Sequence, residues 1–255
     1  MKYFFLAIVI LFNTCQTANV QNVNSDNPPA EGFNAAASDK KAIEIADQVM
    51  QAMGGRTNWD ATRYIKWTFF GRRNLLWDKR EGNVMVELPS DSLVIFINLF
   101  DKSKAALIKA NETITQQDSI AKYAAQAKSI WINDAYWLVM PFKLKDSGVT
   151  LKYLSQEKTD EGIDADVLQL TFEQVGDTPN NKYWVYVDQK DKLVKQWDFY
   201  RNATDSIPAF STPWTDYQTY GNILLSSGRG QRGLSNIAVF DTLPDSLATL
   251  PLFGQ

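Results

Sequence analysis

The sequence predicts an α+β domain built on antiparallel sheet. Two apolar stripes at helical period, one near the start and one in mid-chain, are each followed by short runs of alternating residues. The runs are joined by brief charged turns, too short for the crossovers that parallel strands need.

The first stripe predicts a helix over residues 39–53. Ala42, Ile43, Ala46, Val49, Met50 and Met53 recur at helical spacing, Ser38 or Asp39 can cap the start, and Gly54-Gly55 ends it. From Tyr64 the texture changes. Ile65, Trp67 and Phe69 alternate with Tyr64, Lys66 and Thr68, and strands follow at Leu75–Trp77, Val84–Leu88 and Leu93–Phe100. The second stripe, Ile120, Tyr123, Ala124, Ala127, Ile130 and Trp131, predicts a helix over 118–132. A compact apolar segment, Ala135–Met140, is stopped by Pro141. Strands resume at Thr150–Leu154, Val167–Phe172, Tyr183–Val187 and Leu193–Arg201, with a final one over Tyr220–Leu225. No repeat of fixed period is evident.

The N-terminus reads as an export signal. Lys2 precedes an unbroken apolar run, Phe4–Phe12, which is too short to span a bilayer as a helix. Leu11-Phe12-Asn13-Thr14-Cys15 resembles a relaxed lipobox of bacterial lipoproteins. That resemblance implies a signal peptide over 1–14, cleavage before Cys15, and lipid on its thiol. Cleavage after Ala18, leaving an unmodified secreted protein, is the alternative. Gln16 in place of Asp after the cysteine implies, by the sorting rule of some Gram-negative groups, an outer-membrane protein facing the periplasm. Residues 15–37, rich in Asn, Ala and Pro with few large apolar groups, read as a flexible tether. Such a tether has an r.m.s. span of about 25 Å. Residues 38–255 are then a single domain, and the 45% apolar composition can fill its core.

Several classes of chemistry are disfavoured. The chain has no His, which removes Ser-His-Asp and Cys-His catalysis and imidazole metal sites. Its one Cys lies in the signal region, so the domain has no internal disulfide and no thiolate metal site. The net charge of −3, with no basic stripe, argues against a nucleic-acid partner. Carboxylates gather at Asp160, Glu161, Asp164 and Asp166 and at Asp188 and Asp191, but they read as solvated turns and lack an EF-hand pattern. There is no G-x-S-x-G, S-x-x-K or phosphate-loop sequence. No metal, no cofactor and no enzymatic activity is therefore expected.

The order of helix, long meander, helix and second meander resembles the LolA/LolB-like superfamily. The residues that carry the resemblance are ADQVMQAMGG (46–55), YWLVMPFKLKDSGVTLKYL (136–154) and KYWVYVDQKDKLVKQWDFY (182–200). The resemblance implies an unclosed β-barrel, or half-barrel, with helices packed on its concave face. It also implies an apolar cavity that holds lipid acyl chains; no family residue is matched singly. Strands such as Tyr183–Val187 are apolar on both faces and need cover or a ligand on each. Alternation within each strand places Trp67, Phe69, Trp184, Tyr186, Trp197 and Phe199 on the cavity wall, with Trp137, Met140 and Phe142 at its rim. Arg229 and Arg232, in SSGRGQRG, are candidates for a lipid headgroup contact. The leading expectation is a lipid-anchored carrier or sensor whose partners are lipid or lipoprotein acyl chains. An envelope scaffold with a filled core and no ligand is the alternative, and a hydrolase the third.

Overall fold

A computed structural model describes residues 26–173 and 175–253. The signal run and Cys15 lie outside the described residues.

Helix α1 (Lys40–Ala52) buries Ala42, Ile45, Ala46, Val49 and Met50. The expected stripe is slightly rotated, with Ile45 inside and Ile43 only half-buried. Neither proposed cap closes the helix through its side chain. The Asp39 carboxylate instead accepts from Lys152 Nζ and from the Tyr153 N–H, both at 3.0 Å, and these bonds hold it below the usual carboxylate range. Ser38 Oγ accepts from the Leu151 N–H at 2.9 Å. Both residues therefore tie the helix start to a strand edge. At the other end Gly54 is required, because its φ is +114° and a Cβ would lie 2.4 Å from the Asn222 carbonyl oxygen. A short helix α2 (Arg56–Ala61) follows.

Six strands come next: β1 (Tyr64–Phe69), β2 (Arg73–Asp78), β3 (Asn83–Leu88), β4 (Leu93–Asn98), β5 (Ala105–Lys109) and β6 (Glu112–Thr113). Helix α3 runs from Gln117 to Val139, well beyond the expected 132. The apolar segment after Trp131 continues the helix, because Ala135, Leu138 and Val139 extend its buried side. Pro141 falls in a following 3₁₀ turn, Met140–Lys143.

The second meander holds β7 (Val149–Lys158), β8 (Asp164–Phe172), β9 (Lys182–Asp188), β10 (Val194–Tyr200) and β11 (Phe210–Pro213). Then come β12 (Thr215–Tyr220), β13 (Ile223–Arg229), β14 (Arg232–Phe240) and the one-turn helix α4 (Asp245–Ala248). The expected strand over Tyr220–Leu225 is in fact a hairpin, with Tyr220 opposite Ile223 and Gly221 in the turn at φ +59°.

Every strand pair is antiparallel. Nine strands form one sheet in the order β12-β13-β14-β1-β2-β3-β4-β5-β6, and five form another in the order β11-β10-β9-β8-β7. The chain passes from one sheet to the other through the fully buried Trp214. The sheets do not close into a barrel, and α1 and α3 pack within the curve, so the fold is an α+β half-barrel.

Alternation sorts the large sheet cleanly. Ile65, Trp67, Leu75, Val84, Val86, Ile95 and Leu107 join the main core beneath the helices. Tyr64, Leu76, Met85 and Phe96 face outward, where Leu243 and Phe253 of the C-terminal segment cover them. Asn83 Nδ2 donates to the Leu252 carbonyl at 2.7 Å and fastens that segment. The described part of the expected tether is also tied down. Ala30 N–H donates to the Lys145 carbonyl at 2.9 Å, Asn34 N–H to the Val149 carbonyl at 3.0 Å, and Lys145 Nζ sits 2.5 Å from Asp47. From Asn27 onward the chain belongs to the domain and shields the start of the β7 edge.

Candidate functional site

A cleft of about 490 Å³ opens between the C-terminal half of α3 and the β8–β9 end of the small sheet. That volume lies in the range of small-molecule sites, roughly 300–1,000 Å³. Its wall is aromatic: Trp77 from β2, Trp131, Tyr136 and Trp137 from α3, Phe172 from β8 and Tyr183 from β9. The rings meet edge to face, with Trp77 to Trp131 at 5.2 Å and Tyr136 to Phe172 at 6.2 Å between centroids. Val139 and Val149 complete the apolar lining, and the mouth is polar, with Ser129, Asn133, Lys143, Asp146 and Asp177. Lys143 pairs with Asp146, and Ser129 donates to the Asp177 carboxylate.

The helix that forms half of this wall is held by a buried ion pair. Arg73 Nε lies 2.7 Å from one Asp134 oxygen and its Nη2 2.8 Å from the other, and the Asp134 side chain is 0% exposed. Burial pushes the Asp134 carboxyl above its usual range, while bonds from Asn133 and Arg73 oppose that shift.

Several donors on the cleft wall have no partner. The Tyr136 hydroxyl and the indole N–H groups of Trp77 and Trp131 are shielded from water and unpaired. Burial holds the phenols of Tyr136 and Tyr183 above the ordinary tyrosine range, so both stay protonated.

The expected cavity residues are distributed differently. Trp137 lines the cleft. Trp67, Phe69 and Trp197 lie on the concave face as expected, but they are buried in the core instead of facing open space. Met140 is likewise core, and Phe142 stacks on Trp59 at 4.3 Å beside a pocket of about 60 Å³, room for only a few waters at roughly 10–15 Å³ each. Phe199 shares the inner face, 5.3 Å from Tyr183 and 5.0 Å from Phe210, outside the cleft.

Trp184 and Tyr186 point the opposite way. They pack with Ala165 and Val167 on the outer face, where Tyr186 donates to Asp198 at 2.8 Å and Trp184 Nε1 to Gln169 at 3.3 Å. A bulge between Val194 and Gln196 shifts the β9–β10 register. It sets Trp197 opposite Val185 and Phe199 opposite Tyr183, so the inner residues of β9 are Tyr183, Val185 and Val187.

Arg229 is no headgroup ligand, being only 4% exposed. Its guanidinium lies 3.6 Å from the Trp214 ring and donates to the Trp137 carbonyl at 2.6 Å and to Ser226 Oγ at 2.8 Å. It thus caps the last turn of α3 with a cation. Burial lowers its pKa to about 9, still charged at neutral pH. Arg232 is exposed, 5.7 Å from the Phe70 ring and away from the cleft lining.

No family model matches the chain, and no curated protein matches it. Among solved structures the chain is similar to a DUF1329 family protein from Desulfovibrio piger, at 14% identity and a TM-score of 0.44 over 80% of this chain and 95% of that one. It is similar to a putative outer membrane lipoprotein-sorting protein domain from Vibrio parahaemolyticus at 12% identity, with a TM-score of 0.42 over 81% and 95%. A LolA superfamily protein from Nitrosomonas europaea is similar at 12% identity, with a TM-score of 0.40 over 82% and 97%.

Sequence reasoning did not single out Tyr136, Tyr183, Trp77, Trp131 or Phe172 as cleft residues. Following the α3 period past residue 132 would have brought Trp131, Ala135 and Val139 onto one wall. Among the described residues no group of three or more acidic side chains is placed to hold a metal ion, and no helix is long and apolar enough to cross a membrane.

Proposed function

We propose that the protein binds the acyl chain of a lipid in the α3–β9 cleft and acts in the cell envelope as a carrier or sensor. The observation that supports this is an open aromatic cleft of about 490 Å³ in a half-barrel whose other concave side chains are packed solid. Rigid rings standing edge to face resist collapse and offer broad apolar contact to a flexible chain. Each methylene taken from water contributes about 0.8 kcal/mol, so part of one chain suffices for firm binding after ordering costs.

The test is solvent extraction and mass spectrometry of protein purified from its own cells, together with uptake of a fluorescent fatty-acyl probe. A stoichiometric lipid is expected. Trp137→Asp, on the cleft wall, should abolish probe uptake, and Trp184→Asp, on the outer face, should leave it intact. No extractable lipid and no probe uptake by the folded protein would overturn the carrier reading in favour of the envelope scaffold.

Anchoring through Cys15 belongs to the same proposal and rests on the LFNTC run. Labelled palmitate should enter the wild-type chain and be lost in Cys15→Ala, and equal labelling of both would refute it.

A further inference from the structure

The cleft holds a donor cluster that neither folding nor an apolar ligand explains. The Tyr136 and Tyr183 rings lie 5.5 Å apart, and both line the cleft. The Tyr136 hydroxyl is buried without a partner, and the Tyr183 hydroxyl makes no hydrogen bond among the described residues. The indole N–H groups of Trp77 and Trp131, on the same wall, are unpaired as well. Buried donors left unpaired are rare and costly. Three of them along one cleft, beside the unbonded Tyr183 hydroxyl, fit a partner that arrives with the ligand and brings acceptor oxygens. Indoles donate only, and a phenol kept protonated by burial donates one hydrogen bond.

The charges around the cleft decide what kind of acceptor it is. Lys143 is the cation of the lining, and it is occupied by Asp146. Asp177 leaves the remaining balance negative. The two guanidinium groups that bond to the α3 wall are also engaged, Arg73 by Asp134 and Arg229 by Ser226 and the Trp137 carbonyl. A carboxylate placed against the tyrosines would be buried with no countercharge, which is strongly unfavourable. An ester carbonyl accepts two hydrogen bonds and carries no charge. The volume lies in the lower half of the usual range, which suits one chain more than two.

We infer that the cleft selects a neutral single-chain acyl ester over the free fatty acid, with the ester carbonyl accepting from the Tyr136 and Tyr183 hydroxyls. This rests on the acyl-binding reading above and adds to it the polarity and charge of the ligand's head.

The experiment uses the purified full chain, with displacement of a bound fluorescent acyl probe by monomyristoylglycerol and by myristate at pH 8. Monomyristoylglycerol is expected to bind at least about tenfold more tightly, the scale of one or two hydrogen bonds plus an avoided charge burial. In the double variant Tyr136→Phe/Tyr183→Phe the ratio of the two lipids' affinities should fall close to one, each displacement being referred to that variant's own probe affinity. The single variant Tyr183→Phe, with one hydroxyl removed and the deeper ring untouched, should fall between. Equal affinities in the wild type, tighter myristate, or a ratio unchanged in the double variant would overturn the inference and leave the acyl cleft standing. Failure of probe and both lipids to bind would overturn the acyl cleft itself.

Discussion

Arg73 and Asp134 join the wall of the cleft to the sheet beneath it, and Arg73→Leu removes one side of that joint. The wild-type pair is bidentate at 2.7 and 2.8 Å, with Asp134 0% exposed and Arg73 25% exposed. Stripping the cation leaves a buried carboxylate with one hydrogen bond, from Asn133 Nδ2 at 2.9 Å. Breaking a buried pair in this way costs about 3–5 kcal/mol, and the partial exposure of Arg73 places the expected loss near the lower value. The penalty carries a pH signature. Burial already holds the Asp134 carboxyl above its ordinary range, and loss of Arg73 raises it further. An acid whose folded pKa is raised takes up a proton more readily in the native state, so stability falls as pH rises from the unfolded value, near 4, through the folded one. The variant should therefore be destabilised fully above that window and approach wild type below it. Urea unfolding followed by tryptophan fluorescence at pH 4.5 and pH 7.5 measures both quantities. A loss under about 1 kcal/mol at pH 7.5, or a loss equal at the two pH values, would refute the argument. The double variant Arg73→Leu/Asp134→Leu, which buries no charge, should recover most of the stability.

Two further variants test the frame around the cleft. Arg229→Met keeps the apolar bulk over Trp214 and loses the bonds to Ser226 and the Trp137 carbonyl. It should cost about 2–3 kcal/mol in urea unfolding, since hydrogen bonds to charged groups contribute about 1.5–3. Arg232→Ser should cost under about 0.5 kcal/mol, as exposed changes do. Truncation before Leu243 uncovers Leu76, Met85 and Phe96 on the outer face. It should lower stability by several times the roughly 1.5–3 kcal/mol of one buried apolar side chain and create binding of a hydrophobic dye. Probe uptake by whatever fraction stays folded should be unchanged, because the cleft lies on the other face.

The first meander was legible because its two faces differ. Ile65, Trp67 and Phe69 alternate with residues that meet water or the C-terminal segment, so parity alone assigns the core. The β9 strand carries no such signal. Tyr183 to Val187 is apolar throughout because helices cover one side while Tyr200, Ala165 and Val167 cover the other, and the bulge in β10 sets the register. Alternation alone therefore puts Trp184 and Tyr186 on the wrong face. Strands β12 and β14 went unseen, the first polar at alternate positions, the second interrupted by Ser235-Asn236 with Asn236 at φ +52° and a register shift opposite β1. Composition misled at Arg229, where a glycine-flanked arginine in a turn-like run proved to be the C-terminal clamp of α3. It misled again at Asn27–Ala37, whose bonds to Lys145 and Val149 depend on a segment more than a hundred residues away.

The division of the half-barrel into a solid part and an open part follows from where its aromatic residues fall. At the seam between the sheets, Trp197 meets Trp137 at 4.7 Å and Trp214 at 5.3 Å, and Arg229 lies 3.6 Å above Trp214. These groups fill the concave face and lock the end of α3 against both sheets. Moving away from the seam, the ring contacts lengthen, with Tyr136 at 5.5 Å from Tyr183 and 6.2 Å from Phe172. The cleft opens beside these rings, which form part of its lining. Helix α3 is pinned to the large sheet at two points about one turn apart, by Asp134 to β2 and by the Trp137 carbonyl to β13. A helix held at these two points cannot settle onto the small sheet to close the gap without breaking a buried charged contact. The charged pairs thus do for the cleft what an apolar core alone would not. They keep an apolar surface apart from its neighbour and available to a ligand.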